Sequence, residues 1–131
     1  GYRNDAVFIQ ASRHVPPRWE VVLDAMPTLF ELLAQEPEAS VRAVLGHWLF
    51  GYIHPYPDGN GRVARFLMNL MLASGGYPWT VISVEDRNRY MQALESASVD
   101  ADIEPFATFL AELVQASLEG KSAPAVPADG R

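Results

Sequence analysis

One short segment holds most of the side chains able to do chemistry: His54-Pro55-Tyr56-Pro57-Asp58-Gly59-Asn60-Gly61-Arg62-Val63-Ala64-Arg65. Within twelve residues it offers an imidazole, a turn, a carboxylate, a Gly-Asn-Gly backbone and two guanidinium groups. Gly59 and Gly61 admit backbone conformations closed to other residues and let a ligand come close. A helix starting there would point unpaired N–H groups outward, which favours an anion. Arg62 and Arg65 are three apart and share one face of that helix. Two guanidinium forks beside a nest of amides suit a polyphosphate. Asp58 fits as the lone protein carboxylate of a Mg²⁺ site, because one or two carboxylates commonly hold that ion while phosphate and water complete its shell. His54 stands just before the loop, where a neutral imidazole can take a proton from an attacking group. Taken singly, a helix-end histidine is a dipole partner, Gly-Asn-Gly is a turn, and paired arginines are a solvated face. Joined in one segment, they point to a phosphate site.

Helices must position these groups. Trp19, Val22, Leu23, Met26, Leu29, Phe30 and Leu33 recur at three and four, and Pro27 inside that pattern predicts a kink or a split. After Pro37, Val41, Val44, Leu45, Trp48 and Tyr52 predict a helix to about His54. Residues 55–61 are loop chemistry. Arg62 to Ser74 is helical and apolar almost all round, which predicts the central buried helix, and Gly75-Gly76 ends it. Ser83 with Asp86 resembles a capping box opening a helix over about 84–97. Asp102 is the expected N-cap of a last helix whose stripe is Phe106, Phe109, Leu110, Leu113 and Val114. Val7-Phe8-Ile9 favours a strand at the surface, stopped by Pro16-Pro17.

The whole chain has 131 residues, 49% hydrophobic and 20% charged, with a net charge of −6 and no Cys. That length suits one domain. The lack of Cys removes disulfides, thiolate zinc sites and thiol nucleophiles. A negative balance without a basic run argues against nucleic acid or an anionic membrane as partner, and no apolar run reaches the ~20 residues of a bilayer span. A cytoplasmic location is the expectation, although a Cys-free chain is equally at home in the periplasm. Opening on Gly1 rather than Met, the chain is expected to be a processed product or a piece of something longer.

The twelve-residue segment resembles the signature of Fic domain proteins, His-Pro-Phe-x-Asp/Glu-Gly-Asn-Gly-Arg-x-x-Arg, with Tyr56 in place of Phe. Gly1-Tyr2-Arg3, the run from Val7 to Ile9, His14-Val15-Pro16-Pro17, Leu67-Met68-Asn69-Leu70, Gly76-Tyr77-Pro78 and Pro105-Phe106 are also similar to that family. The resemblance implies an all-α fold: a compact helical bundle with a short N-terminal β-hairpin flap. The catalytic domain would cover residues 1–118, with 1–17 as the flap and its exit, and 119–131 would be a disordered tail. It also implies AMPylation, the transfer of AMP from ATP to a Ser, Thr or Tyr hydroxyl of a target protein.

In that scheme His54 is the base and Asp58 holds Mg²⁺. Gly59, Asn60 and Gly61 cradle the α- and β-phosphates, and Arg62 with Arg65 neutralises the β- and γ-phosphates. Adenine would lie against Tyr90 or Met91, where relatives often carry Tyr-Tyr, with Ser98 at a position often Asn. Phe8, Ile9 and Gln10 would dock the target as an added strand. The family's inhibitory motif, Ser/Thr-x-x-x-Glu-Gly/Asn, is absent: Gln115 to Gly120 has Gln in the hydroxyl position. An inhibitory helix is therefore expected upstream of Gly1 or on another chain, and a homodimer is left open. Competing readings are removal of AMP, another phosphate-group transfer on the same fold, and a non-catalytic nucleotide-binding module.

Three other features carry less. Gly120-Lys121-Ser122 resembles the end of a P-loop, but Gln115 stands where its first glycine belongs. His47 lies seven residues before His54, about 10 Å along a helix, too far to share a metal. Trp19, Trp48 and Trp79 sit in apolar patterns that predict core.

Overall fold

The computed structural model describes residues 1–120 as five helices, and no β-strand is present among them. Helix α1 is Trp19–Gln35, α2 Ala39–Ile53, α3 Asn60–Ser74, α4 Arg87–Asp100 and α5 Glu104–Leu118. Of the expected tail over 119–131, residues 121–131 lie outside the described residues, as do the P-loop decoy's Lys121 and Ser122.

Helix α1 runs through Pro27 without splitting. Pro27 is on the solvent side, while Val22, Met26, Leu29 and Leu33 form the buried stripe. The stripe is narrower than the sequence spacing predicts, because Trp19, Leu23 and Phe30 stay exposed. Trp19 is 41% exposed and Trp79 is 54% exposed, so neither is core; Trp79 packs edge-on against the exposed Phe66.

Helix α2, not α3, is the central element, since it touches each of the other four helices. An α-helix apolar all round belongs inside, and α2 buries Ala43, Gly46, His47, Phe50 and Ile53 on several sides. Helix α3 buries Ala64, Met68, Asn69 and Leu72 but exposes Val63, Phe66 and Leu70. Small residues let partners approach α2: a Cβ on Gly46 would already touch Leu33 at 3.5 Å and Leu67 at 3.6 Å. Two cores result, with α2 between them. Phe50 and Ile53 meet the α1 stripe and Ala64, while Ala43 faces Met68, Leu72, Tyr90, Leu94, Phe106, Phe109 and Leu110. Burial of such side chains at roughly 1.5–3 kcal/mol each is the main favourable contribution to folding.

Side-chain amides and carboxylates finish the joints. Buried Asn69 donates to the Thr80 carbonyl at 3.0 Å and accepts from its N–H at 2.8 Å, fixing the segment between α3 and α4. The Ser83 hydroxyl donates to Asp86 at 3.0 Å, but this pair makes a turn, and α4 begins at Arg87, later than predicted. Asp102 accepts from the Glu104 N–H at 3.2 Å, one residue ahead of the N-cap Ile103.

The N-terminal β-hairpin does not form. Residues 1–18 are irregular, with one turn in which the Ser12 N–H donates to the Ile9 carbonyl at 3.2 Å and Ala11 takes a positive φ of 59°. Val7, Phe8 and Ile9 favour a strand by residue type, but no strand among the described residues pairs with them, and a lone hairpin is marginal in water. Side chains tether the segment instead: Glu95 accepts from the Ser12 hydroxyl at 2.5 Å and from the Arg13 N–H at 2.7 Å.

Candidate active site

A cavity of about 700 Å³ opens between the N-terminal segment and the ends of α2, α3 and α4. His54, Asp58, Gly59 and Asn60 line one side, Phe8, Ile9 and Gln10 another, and Arg87, Met91 and Glu95 a third. The sequence-predicted base, carboxylate, first loop glycine and flap residues therefore share one space.

His54 caps the C-terminus of α2 in the left-handed region, at φ 51° and ψ 61°. Histidine is one of the few side chains found there with any frequency. Its N–H donates to the Phe50 carbonyl at 2.9 Å, and its Nδ1 is 3.1 Å from the Gly51 carbonyl. A carbonyl can only accept, so this contact places the ring proton on Nδ1 and the basic lone pair on Nε2.

The loop after it is tied internally. Asn60 accepts from the Tyr56 N–H at 2.9 Å and donates to the Tyr56 carbonyl at 2.9 Å. Its side chain is thereby spent on the loop, and what it can offer a ligand is its backbone. Gly59, at φ 75°, is the N-cap of α3 and supplies no side-chain cap. Helix α4 likewise starts without a side-chain cap, and its first residues Arg87 and Asn88 line the cavity. Two helix N-termini thus meet one cavity, each with partial positive charge. Together with Arg87 they make an anion-favouring region on a chain of net charge −6.

Asp58 is exposed on the cavity wall. One carboxylate beside phosphate oxygens suits Mg²⁺. Among the described residues no group of three His, Asp or Glu side chains could hold a metal alone. The residues fit an ion that arrives with a nucleotide.

Arg62 is exposed and Arg65 half-buried, both in the first turns of α3, and neither lines the cavity. Arg65 Nη1 is buried with no hydrogen-bond partner, and no ion pair joins Arg65 to a carboxylate among the described residues. Glu119 of the incomplete inhibitory pattern accepts from Gln115 at 3.1 Å on its own helix. A buried donor without a partner is uncommon and marks a place where an anion would be satisfied.

Tyr90 is not at the cavity. It is 0% exposed, its hydroxyl is 2.6 Å from His47 Nε2, and its ring packs against Phe106 and Phe109. One residue along α4 the direction turns by about 100°, which brings Met91 to the wall instead. Ser98 accepts from Trp48 Nε1 at 3.2 Å and does not line the cavity. The expectation of a base against Tyr90 therefore has no accessible ring to act on. Arg87, Asn88 and Glu95 are cavity residues that sequence reading missed. The Ser83–Asp86 box was the available signal, since it marks a helix N-terminus, but nothing local shows what that terminus faces.

Residues 1–72 match the family model for the Fic/DOC family. A protein adenylyltransferase Fic from Nematostella vectensis is 38% identical over 122 residues, covering 90% of this chain and 28% of that protein. One of the same name from Drosophila virilis is 34% identical, covering 90% of this chain and 24% of its own length. Among solved structures, Fic-1 from Caenorhabditis elegans superposes with a TM-score of 0.81 at 28% identity, covering 92% of this chain and 36% of that one. A Fic domain containing signaling protein from Bacteroides thetaiotaomicron superposes at 0.76 with 25% identity, covering 94% of this chain and 57% of that one. The chain spans about a quarter of the length of these two curated relatives.

Proposed function

Because the chain belongs to the Fic/DOC family, we propose that it transfers AMP from ATP to a Ser, Thr or Tyr hydroxyl of a target protein and releases pyrophosphate. One observation carries this reading. The contact of His54 Nδ1 with the Gly51 carbonyl at 3.1 Å leaves the basic Nε2 on a residue that lines the same cavity as Asp58 and the start of α3.

In the reaction, the target hydroxyl oxygen forms a bond to the α-phosphorus as its proton passes to His54 Nε2. The bond between the α-phosphorus and the bridging oxygen breaks, and pyrophosphate leaves with that electron pair. The backbone at Gly59, Asn60 and Gly61, with the N-termini of α3 and α4, stabilises charge on the phosphates without reorganising, which is where most of such catalysis comes from. Arg62 and Arg65 take the β- and γ-phosphates, and the unpaired Nη1 of Arg65 supports an anionic partner there. Asp58 would hold Mg²⁺, which neutralises phosphate oxygens when bound. Met91 gives the base an apolar wall. Phe8, Ile9 and Gln10 receive the target segment alongside the cavity.

The absence of a carboxylate on Arg65 among the described residues favours this reading over removal of AMP, which in the family scheme uses the inhibitory Glu. Labelled ATP, Mg²⁺ and a lysate test it: label from the α-phosphate should enter protein with wild type and not with His54→Ala. Equal labelling by both overturns the base assignment, and label from the γ-phosphate alone would mean a kinase.

A further inference from the structure

Arg3 is among the most unusual buried groups in the molecule. It is 4% exposed, and burial pushes its guanidinium below the ordinary arginine range. Among the described residues no carboxylate pairs with it. Its fork donates instead to four backbone carbonyls: His54 at 2.6 Å, Ile53 at 3.1 Å, Pro17 at 2.5 Å and Asp5 at 3.0 Å. Its own N–H donates to the Pro55 carbonyl at 2.8 Å. Three consecutive residues at the end of α2 are thus held by one residue of the N-terminal segment.

We propose that Arg3 is a positioning residue for His54, setting the direction of its imidazole. The proposal rests on His54 being the base of the reaction described above. The carbonyl of Ile53 belongs to the last turn of α2, where carbonyls lack intrahelical partners and attract a cation. His54 must then turn out of the helix into the left-handed region, a conformation disfavoured for a side chain with a Cβ. The Arg3 Nε–H donates to the carbonyl of that residue at 2.6 Å. With the peptide groups on both sides of His54 tied to Arg3, the backbone holds the ring where its Nδ1 meets the Gly51 carbonyl at 3.1 Å, the contact that puts the proton on Nδ1. Lysine cannot replace this device, because an ammonium is a compact charge without the planar fork that reaches several carbonyls at once. The same contacts carry the N-terminal segment, and so the flap residues Phe8 to Gln10, to the catalytic end of α2.

The test uses the full chain with Arg3→Lys. The ring-nitrogen signals of His54 should change from a single Nδ1–H form to a mixture, kcat for AMP transfer should fall tenfold or more, and the KM for ATP should stay within twofold. A folded Arg3→Lys protein with wild-type His54 signals and kcat overturns the proposal. If that variant does not fold, wild type decides: the Arg3 Nε–H should exchange with solvent as slowly as the amides of α2, and His54 should carry its proton on Nδ1. Fast exchange, or a proton on Nε2, overturns it. Wild type that transfers no AMP refutes the reaction, while the ring-proton measurement still decides the role of Arg3.

Discussion

Asn60 clamps Tyr56 in both directions, accepting from its N–H and donating to its carbonyl, each at 2.9 Å. The five residues from Tyr56 to Asn60 are closed into a small ring, and Asp58 is held at its tip. The asparagine of the Gly-Asn-Gly sequence is therefore part of the loop's own structure, and Asp58 and the backbone of Gly59 are what the loop presents to the cavity.

Asn60→Ala removes both bonds and leaves the part-buried Tyr56 backbone groups to find other partners. A loss of about 1–3 kcal/mol in unfolding free energy is expected, with ATP affinity falling because Asp58 is no longer fixed. Chemical denaturation and an ATP titration check both. A variant of unchanged stability would show that the clamp does not exist in solution.

Glu95→Ala releases the Ser12 hydroxyl and the Arg13 N–H from their shared acceptor. Both contacts lie where the N-terminal segment meets α4, so global stability should fall by only about 1 kcal/mol. The KM for the target protein should rise roughly tenfold by the same scale of energy, while kcat at saturating target changes little. Steady-state kinetics with varied target would show this, and an effect on kcat alone would count against a tethering role.

Tyr90 and Met91 should separate stability from binding. Tyr90→Phe deletes a buried bond to His47 at 2.6 Å and should cost about 1–3 kcal/mol of stability with unchanged ATP affinity. Met91→Ala opens the cavity wall and should weaken ATP binding with little cost to folding. Thermal melts beside nucleotide titrations distinguish them; weaker binding from Tyr90→Phe at full stability would mean that the ring reaches the nucleotide.

Mg²⁺ should bind only in company with ATP. Asp58 is a single carboxylate, and no three-ligand group exists among the described residues, so the phosphates must complete the site. Calorimetry with Mg²⁺ alone should show no saturable heat, and chelation should abolish AMP transfer. Tight binding of the ion without nucleotide would refute this.

Much of this molecule was legible along the chain because its signals are local. The Gly-Asn-Gly segment, the helix stops at Pro37 and Gly75-Gly76, and the buried positions Val22, Met26, Leu29 and Leu33 all follow from backbone chemistry and a period of 3.6. So did the family, through side chains twelve residues apart or less. What periodicity could not supply was which of two apolar helices lies inside. Along the chain α3 reads as apolar almost all round and α2 as apolar on one face, yet the inner place fell to α2, whose Ala43 and Gly46 admit close neighbours.

Nor could a local pattern show that Tyr90 turns inward while Met91 meets the cavity, because that depends on how α4 is rotated by its packing on Phe106 and Phe109. The N-terminal segment was misread for a related reason: strand-forming residues need a partner strand, and the described residues offer Val7 to Ile9 none. Most remote of all is the bond between Arg3 and the His54 carbonyl, 51 positions apart. The sequence by itself determined the candidate reacting groups and the helices that carry them. Their aim was decided by the tertiary structure, since a side chain's direction is set by contacts that close only when distant parts of the chain are packed together.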